Sequence, residues 1–199
     1  MPGPPILQIG TTSQFKQIYS TYFATYLPAA SPGYYNIGHY ANQGGPPVGS
    51  VVTLAVENDD PKNPLLVQPA DYTLVWQDPP SNVIFGDSAP SVVVGVWAPV
   101  APNNYVALGM LATSAPYHSG AVPPKPALDA VRCLRYDYAV AEPVGAKIWV
   151  GEGANNNPLG VYITTGTNVM YAQDNTDPPA QPTYAPKNLQ EYLSKLRES

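Results

Sequence analysis

The chain has 199 residues, enough for one domain with a substantial core, and charged residues make up only 12% of it, well below the roughly 25% of an average soluble domain. With 25 prolines it fits short strands and turns rather than long helices, while 15 tyrosines supply the apolar surface that a disordered chain lacks. A net charge of −5, with nine basic residues scattered singly, excludes the clustered Lys and Arg of a nucleic-acid binder and purely electrostatic attachment to anionic lipid.

The chain opens Met1-Pro2-Gly3-Pro4-Pro5, without the charged and apolar segments of a signal peptide. A cytoplasmic protein is expected, with unconventional secretion left open. The first strand pair is read at Phe15–Tyr19 and Tyr22–Leu27, followed by the proline turn and apolar alternation of Ser31-Pro32-Gly33-Tyr34-Tyr35-Asn36-Ile37-Gly38. A β-branched strand follows at Val51–Val56. These elements return further on. Tyr72–Trp76 and Ser91–Trp97 form the second strand pair, Pro102–Gly109 repeats the proline turn, and Val131–Tyr136 answers Val51–Val56. Gly109 follows Gly38 by 71 residues. The second copy is longer before its last strand, with Ser119–Pro126 as an inserted loop. Gly145–Trp149 and Gly160–Thr165 start a third copy, and Trp149 follows Trp76 by 73 residues.

The expected fold is therefore all-β, with three pseudo-repeated antiparallel sheets spanning about residues 15–70, 71–144 and 145–172 inside a single domain of residues 1–176. Residues 177–186 read as a proline-rich connector. Residues 187–199 read as a short amphipathic helix, with Asn188 as its cap, Glu191 at the capping-box position, and Leu189, Tyr192, Leu193 and Leu196 on one face.

Catalytic and metal-binding patterns are sparse. Cys133 is the lone cysteine, in a strand-like setting that suits a buried structural thiol better than a nucleophile. His39 and His118 stand outside any ligand-spaced motif, and no metal or cofactor is expected. The acidic loops Asn58-Asp59-Asp60 and Asp174-Asn175-Thr176-Asp177 have oxygen ligands suited to calcium, but solvated turns account for them more simply. No Gly-x-Ser-x-Gly elbow occurs, and Asp78, Asp87 and Glu152 are the carboxylates a glycosidase-like enzyme would need to bring together.

The loops joining each aromatic strand to its β-branched partner are the better site candidates. One offers Asp78, Asn82 and Asp87, and the other offers Glu152, Asn155, Asn156 and Asn157. Trp76 and Trp149 stand beside them. Amides and carboxylates suit sugar hydroxyls, and an aromatic face suits the apolar side of a sugar ring. The competing reading is that both indoles fill the core and the polar groups form turns.

The segments Leu74-Val75-Trp76-Gln77-Asp78, Val92–Pro99 and Pro102–Gly109, with weaker echoes at Ile18–Gly38 and Ile148–Thr164, resemble the vacuolar protein sorting-associated protein 62 family of fungi and plants. The chain departs from that family where a Gly-Ser-Gly-Ala loop normally follows the Asp, having Pro79-Pro80-Ser81-Asn82 instead. The resemblance implies a β-prism-like arrangement, a shape shared by several lectins and membrane-associated modules. Three functions are carried forward: a lectin-like module for a glycan or a membrane surface, a trafficking or structural scaffold with a protein or lipid partner, and an enzyme on an atypical β scaffold.

Overall fold

The structure is a computed structural model that describes residues 3–79, 91–118, 120–153 and 156–198. The chain is all-β, with several small antiparallel sheets and one short C-terminal helix. Three meanders dominate. The first is β2 (Phe15–Ser20), β3 (Ala24–Pro28) and β5 (Tyr40–Asn42); the second is β8 (Asp71–Asp78), β9 (Val92–Val100) and β11 (Leu111–Pro116); the third is β14 (Val144–Glu152), β15 (Pro158–Thr164) and β16 (Met170–Gln173). Each has its second strand in the middle.

The first strand of each meander is bulged. The register slips between Gln17 and Tyr19, between Leu74 and Trp76, and between Lys147 and Trp149, so the extra residues are Ile18, Val75 and Ile148. A bulge re-aims the next side chain and bends the strand. Here it precedes Tyr19, Trp76 and Trp149, which all join one core cluster with Phe23, Val94, Val96, Leu159 and Val161. The meander edges abut in turn: β2 lies against β11, β8 against β16, and β14 against β5.

Shorter strands form a second layer. β1 (Ile6–Thr12) and β4 (Tyr35–Asn36) flank β6 (Val51–Glu57), β7 (Leu66–Val67) and β10 (Tyr105–Val106) flank β12 (Cys133–Arg135), and β13 (Ala139–Glu142) pairs with β17 (Thr183–Pro186). β1 and β17 add strands that the sequence reading lacks. In particular, the last four residues of the supposed connector are sheet: Thr183 pairs with Glu142 and Pro186 with Ala139. Pro186 is tolerated because it closes the last strand at an outer edge. The short sheets enclose a second core of Ile37, Val51, Leu54, Leu108, Leu134, Val169 and Leu189. The helix α1 (Leu189–Glu198) begins there, with Leu189 buried and Leu196 exposed, so it closes one end of the molecule.

The two cores meet at a tight backbone junction. The amide of His39 donates to the carbonyl of Met110 (2.9 Å), that of Met110 to Met170 (2.8 Å), and that of Met170 to His39 (2.6 Å), which closes a ring. Side chains beside the ring must be small. A Cβ on Gly38 would stand 3.0 Å from Val169 Cβ and 3.1 Å from Gly109 Cα.

Proline and tyrosine act together on the outer faces. After each meander the chain runs as a strap, over residues 43–50, 120–132 and 174–182, and each strap carries a proline pair: Pro46-Pro47, Pro123-Pro124 and Pro178-Pro179. Proline pairs keep the backbone extended, with carbonyls open to donors. Tyrosine hydroxyls supply the donors: Tyr26 to the Gly45 carbonyl, Tyr40 to Val48 (3.1 Å), Tyr72 to Ala127 (3.0 Å) and Tyr162 to Asp177 (3.2 Å). Under the second strap lies Gly95, where a Cβ would collide with Pro123. This cover explains why β9 reads as a continuous run, Val92 to Trp97, rather than an alternation: one face meets the core and the other meets the strap.

Candidate functional site

The described residues at the hairpin ends of the three meanders come together at one end. The first loop is Thr21-Tyr22-Phe23. The second begins at Pro79 and re-enters the described chain at Ser91. The third runs from Gly153 to Asn157. Phe23 is the plug. Its ring is 5.4 Å from Tyr19, 6.3 Å from Trp76 and 5.9 Å from Trp149, so one aromatic side chain touches the bulge-directed aromatic of every meander.

Polar contacts lace the end of β8 to the third loop. The Trp76 indole N–H donates to the Asn157 carbonyl (3.3 Å), and Asn157 Nδ2 donates to the Gln77 carbonyl (2.6 Å). The Gly153 amide also donates to the Asn157 carbonyl (2.8 Å). Gly153 must be glycine, because a Cβ there would stand 2.7 Å from Trp76 Cζ2 and 2.8 Å from Asp78 Oδ1. The contact places the Asp78 carboxyl, on a residue only 8% exposed, under the third loop. Burial pushes the Tyr19 hydroxyl up to about 12, and the negative charge of Asp78 adds to the rise; the same two causes raise Tyr22.

The proposed site residues separate into two environments. Trp76 is 3% exposed, so its indole is part of the core and its N–H is already used. Trp149 is half-buried, with Tyr22 stacked on it at 5.5 Å and an interplanar angle of 26°. Glu152 and Asn156 are exposed on either side of the third loop, and Asn156 adopts a left-handed φ of 57°. Asn82, Asp87 and Asn155 lie outside the described residues. Sequence reasoning missed Tyr22 and Phe23. Their signal is an aromatic pair in a hairpin loop, where Gly, Asn or Pro usually stands.

Elsewhere, candidate groups have structural partners. Asp59 Oδ1 accepts the Leu65 amide and Asp60 Oδ1 the Lys62 amide, while Asn175 Oδ1 accepts from Gln173 and from the Asp177 amide. Both acidic loops are therefore held as turns. Among the described residues no group of three His, Cys, Asp or Glu side chains is arranged to hold a metal ion. Cys133 is buried and its thiol is pushed up to about 11, which leaves it protonated and unreactive at neutral pH. Among the described residues no helix is long and apolar enough to cross a membrane.

An all-β chain of small antiparallel sheets, with aromatic bulged hairpins meeting at one end, is the class of protein this geometry defines. The sequence profile of the vacuolar protein sorting-associated protein 62 family matches residues 6–171, and the chain belongs to that family. The crystal structure of GNIP1Aa from Chromobacterium piscinae is similar in fold, with a TM-score of 0.70 at 17% identity. That likeness covers 96% of this chain but only 40% of the other, so the chain spans less than half the length of GNIP1Aa. A comparison with curated proteins gives no significant match.

Proposed function

We propose that the chain is a non-catalytic, lectin-like recognition module, built as a β-prism from three copies of one unit, which binds a carbohydrate through the converging hairpin loops. The repeat reading rests on the three bulges at matching places, the cyclic contact of the meander edges and the closed ring of three backbone hydrogen bonds. The recognition reading rests on one observation: the half-buried Tyr22–Trp149 stack belongs to the same hairpin end that carries the exposed Glu152 and Asn156. An aromatic surface takes the apolar face of a sugar ring, while the carboxylate and amide pair with its hydroxyls. Asp78 and Trp76 support the loops from below.

The test is a glycan array read with three variants. Trp149→Ala removes the platform, Glu152→Ala removes the carboxylate, and Asn156→Gly deletes the amide while keeping the left-handed backbone. A defined glycan class should bind the parent chain, and each variant should weaken that binding at least tenfold. A flat array would overturn the reading, as would undiminished binding by all three variants.

A second reading, a scaffold that meets a lipid surface or a protein, is favoured by Val48 and Val122, which are 78% and 65% exposed on the first two straps. Vesicle flotation of the chain, lost in a Val48→Ser, Val122→Ser double variant, supports that reading. Failure to float removes the lipid surface from it.

A further inference from the structure

At the opposite end of β9 from its hairpin loop lies a groove of about 310 Å³, lined among others by Pro99, Tyr105, Met110, Tyr171, Pro182 and Tyr184. Among the described residues its lining carries no charged side chain. The groove runs between the second and third meanders, and Tyr136, which is 59% exposed, packs edge-on against Tyr184 at 6.1 Å and extends the aromatic surface outward.

The chain itself reveals what such surfaces hold. Four strap carbonyls are gripped by tyrosine hydroxyls, and the wall of the groove repeats the contact, with Tyr105 donating to the Pro64 carbonyl at 2.7 Å. In each case the accepting backbone oxygen belongs to a proline or to a proline's immediate neighbour. Tyr171 and Tyr184 hold no strap, yet they are the same kind of donor, placed between prolines and apolar side chains.

We propose that this groove is a docking site for an extended, uncharged proline-rich segment of a partner protein, seated as the chain seats its own straps. A proline-rich segment brings few N–H groups that need acceptors, and its carbonyls stand ready for phenol donors. The groove has room for about one turn of polyproline II, roughly three residues over some 9 Å. The absence of lining charge selects against acidic or basic peptides. This site is separate from the hairpin loops, so its fate and that of the recognition reading are decided independently.

The test is chemical-shift mapping on the ¹⁵N-labelled full chain, titrated with a blocked Ala-Pro-Pro-Ala-Pro-Pro-Ala peptide. Saturable shifts are expected at Tyr105, Ala107, Tyr171 and Tyr184, with affinity lowered at least tenfold by Tyr184→Ala and to a smaller degree by Tyr171→Phe. Tyr171→Phe deletes a single oxygen, so it keeps the test valid if Tyr184→Ala does not fold. The proposal is overturned by an absence of saturable shifts up to millimolar peptide, or by equal binding of a blocked Gly-Ser peptide. It is also overturned by groove shifts that follow protein concentration alone, which would mark a second copy of this chain as the occupant.

Discussion

Gly109→Ala is expected to destabilise the fold by about 3 kcal/mol, near the upper end of what one added methyl costs in a packed core. The new Cβ would sit 2.5 Å from Val169 Cγ2 and 3.1 Å from the Ile37 carbonyl oxygen, beside the hydrogen-bond ring of His39, Met110 and Met170. Relief requires one of those strands to retreat, which stretches a buried backbone hydrogen bond in the ring. In a chain of this length such a loss lowers the thermal midpoint by roughly 6–12 °C. Gly38→Ala should cost a comparable amount by a different route, because its Cβ meets the backbone of Gly109 at 3.1 Å. A double-mutant cycle separates the two. Val169→Ala removes the methyl nearest Gly109, so its combination with Gly109→Ala should be clearly less damaging than the sum, while its combination with Gly38→Ala should be close to additive. Urea unfolding of the six proteins reads both couplings, and additivity for Gly109 and Val169 would contradict the packing described here.

Acid should destabilise the same junction through His39. The residue is 4% exposed, and burial alone pushes its imidazole from the ordinary 6.5 down to about 3. Its Nδ1 accepts the Ala112 amide at 3.2 Å, so the neutral ring carries its proton on Nε2. Among the described residues no other titratable side chain lines the adjoining cavity: its neighbours there include Ile18, Leu27, Leu111, Thr113, Ser114 and Pro126. The folded pKa lies below the unfolded one, so the unfolded chain binds the extra proton first. The contribution of neutral His39 is therefore complete above pH 6.5 and is lost progressively as the pH falls from 6.5 toward 3, by up to about 4 kcal/mol. Asp71, Asp137 and Glu191, whose pKa values are lowered by Lys125, Arg135 and Lys195 respectively, sit on the surface and add little to this slope. His39→Gln offers an amide oxygen as acceptor for Ala112 and does not titrate. Its stability should vary less between pH 6.5 and 4 than that of the parent chain, whatever its absolute value. Parallel slopes would show that His39 is not the acid-sensitive group.

Local patterns made the hairpins legible. Apolar-aromatic segments ending at Tyr19, Trp76 and Trp149 announced first strands, β-branched runs such as Val92–Trp97 announced second strands, and the Leu189–Leu196 spacing announced the helix. The Gly38 and Gly109 correspondence marked matching ends of a repeated segment, and the structure gives the reason for glycine there: a Cβ on Gly38 would stand 3.1 Å from Gly109 Cα. What stayed illegible was long-range. β1 pairs with β6 across a gap of some 40 residues, and β17 pairs with β13 out of a stretch whose prolines suggest only a linker. Proline richness was read as turns, whereas several of the prolines lie in straps fixed by tyrosines distant in sequence. The site was half legible for the same reason. Trp149, Glu152 and Asn156 could be named from their hairpin, but the ring stacked on Trp149, that of Tyr22, lies more than 100 residues earlier.

Native-state hydrogen exchange at His39, Met110 and Met170 tests most directly whether three meanders close on a shared centre. These amides should be among the slowest in the protein and should exchange with one common free energy equal to that of global unfolding. Exchange of any one of them through a local opening, at a free energy well below the other two, would contradict the closed ring and the architecture that rests on it.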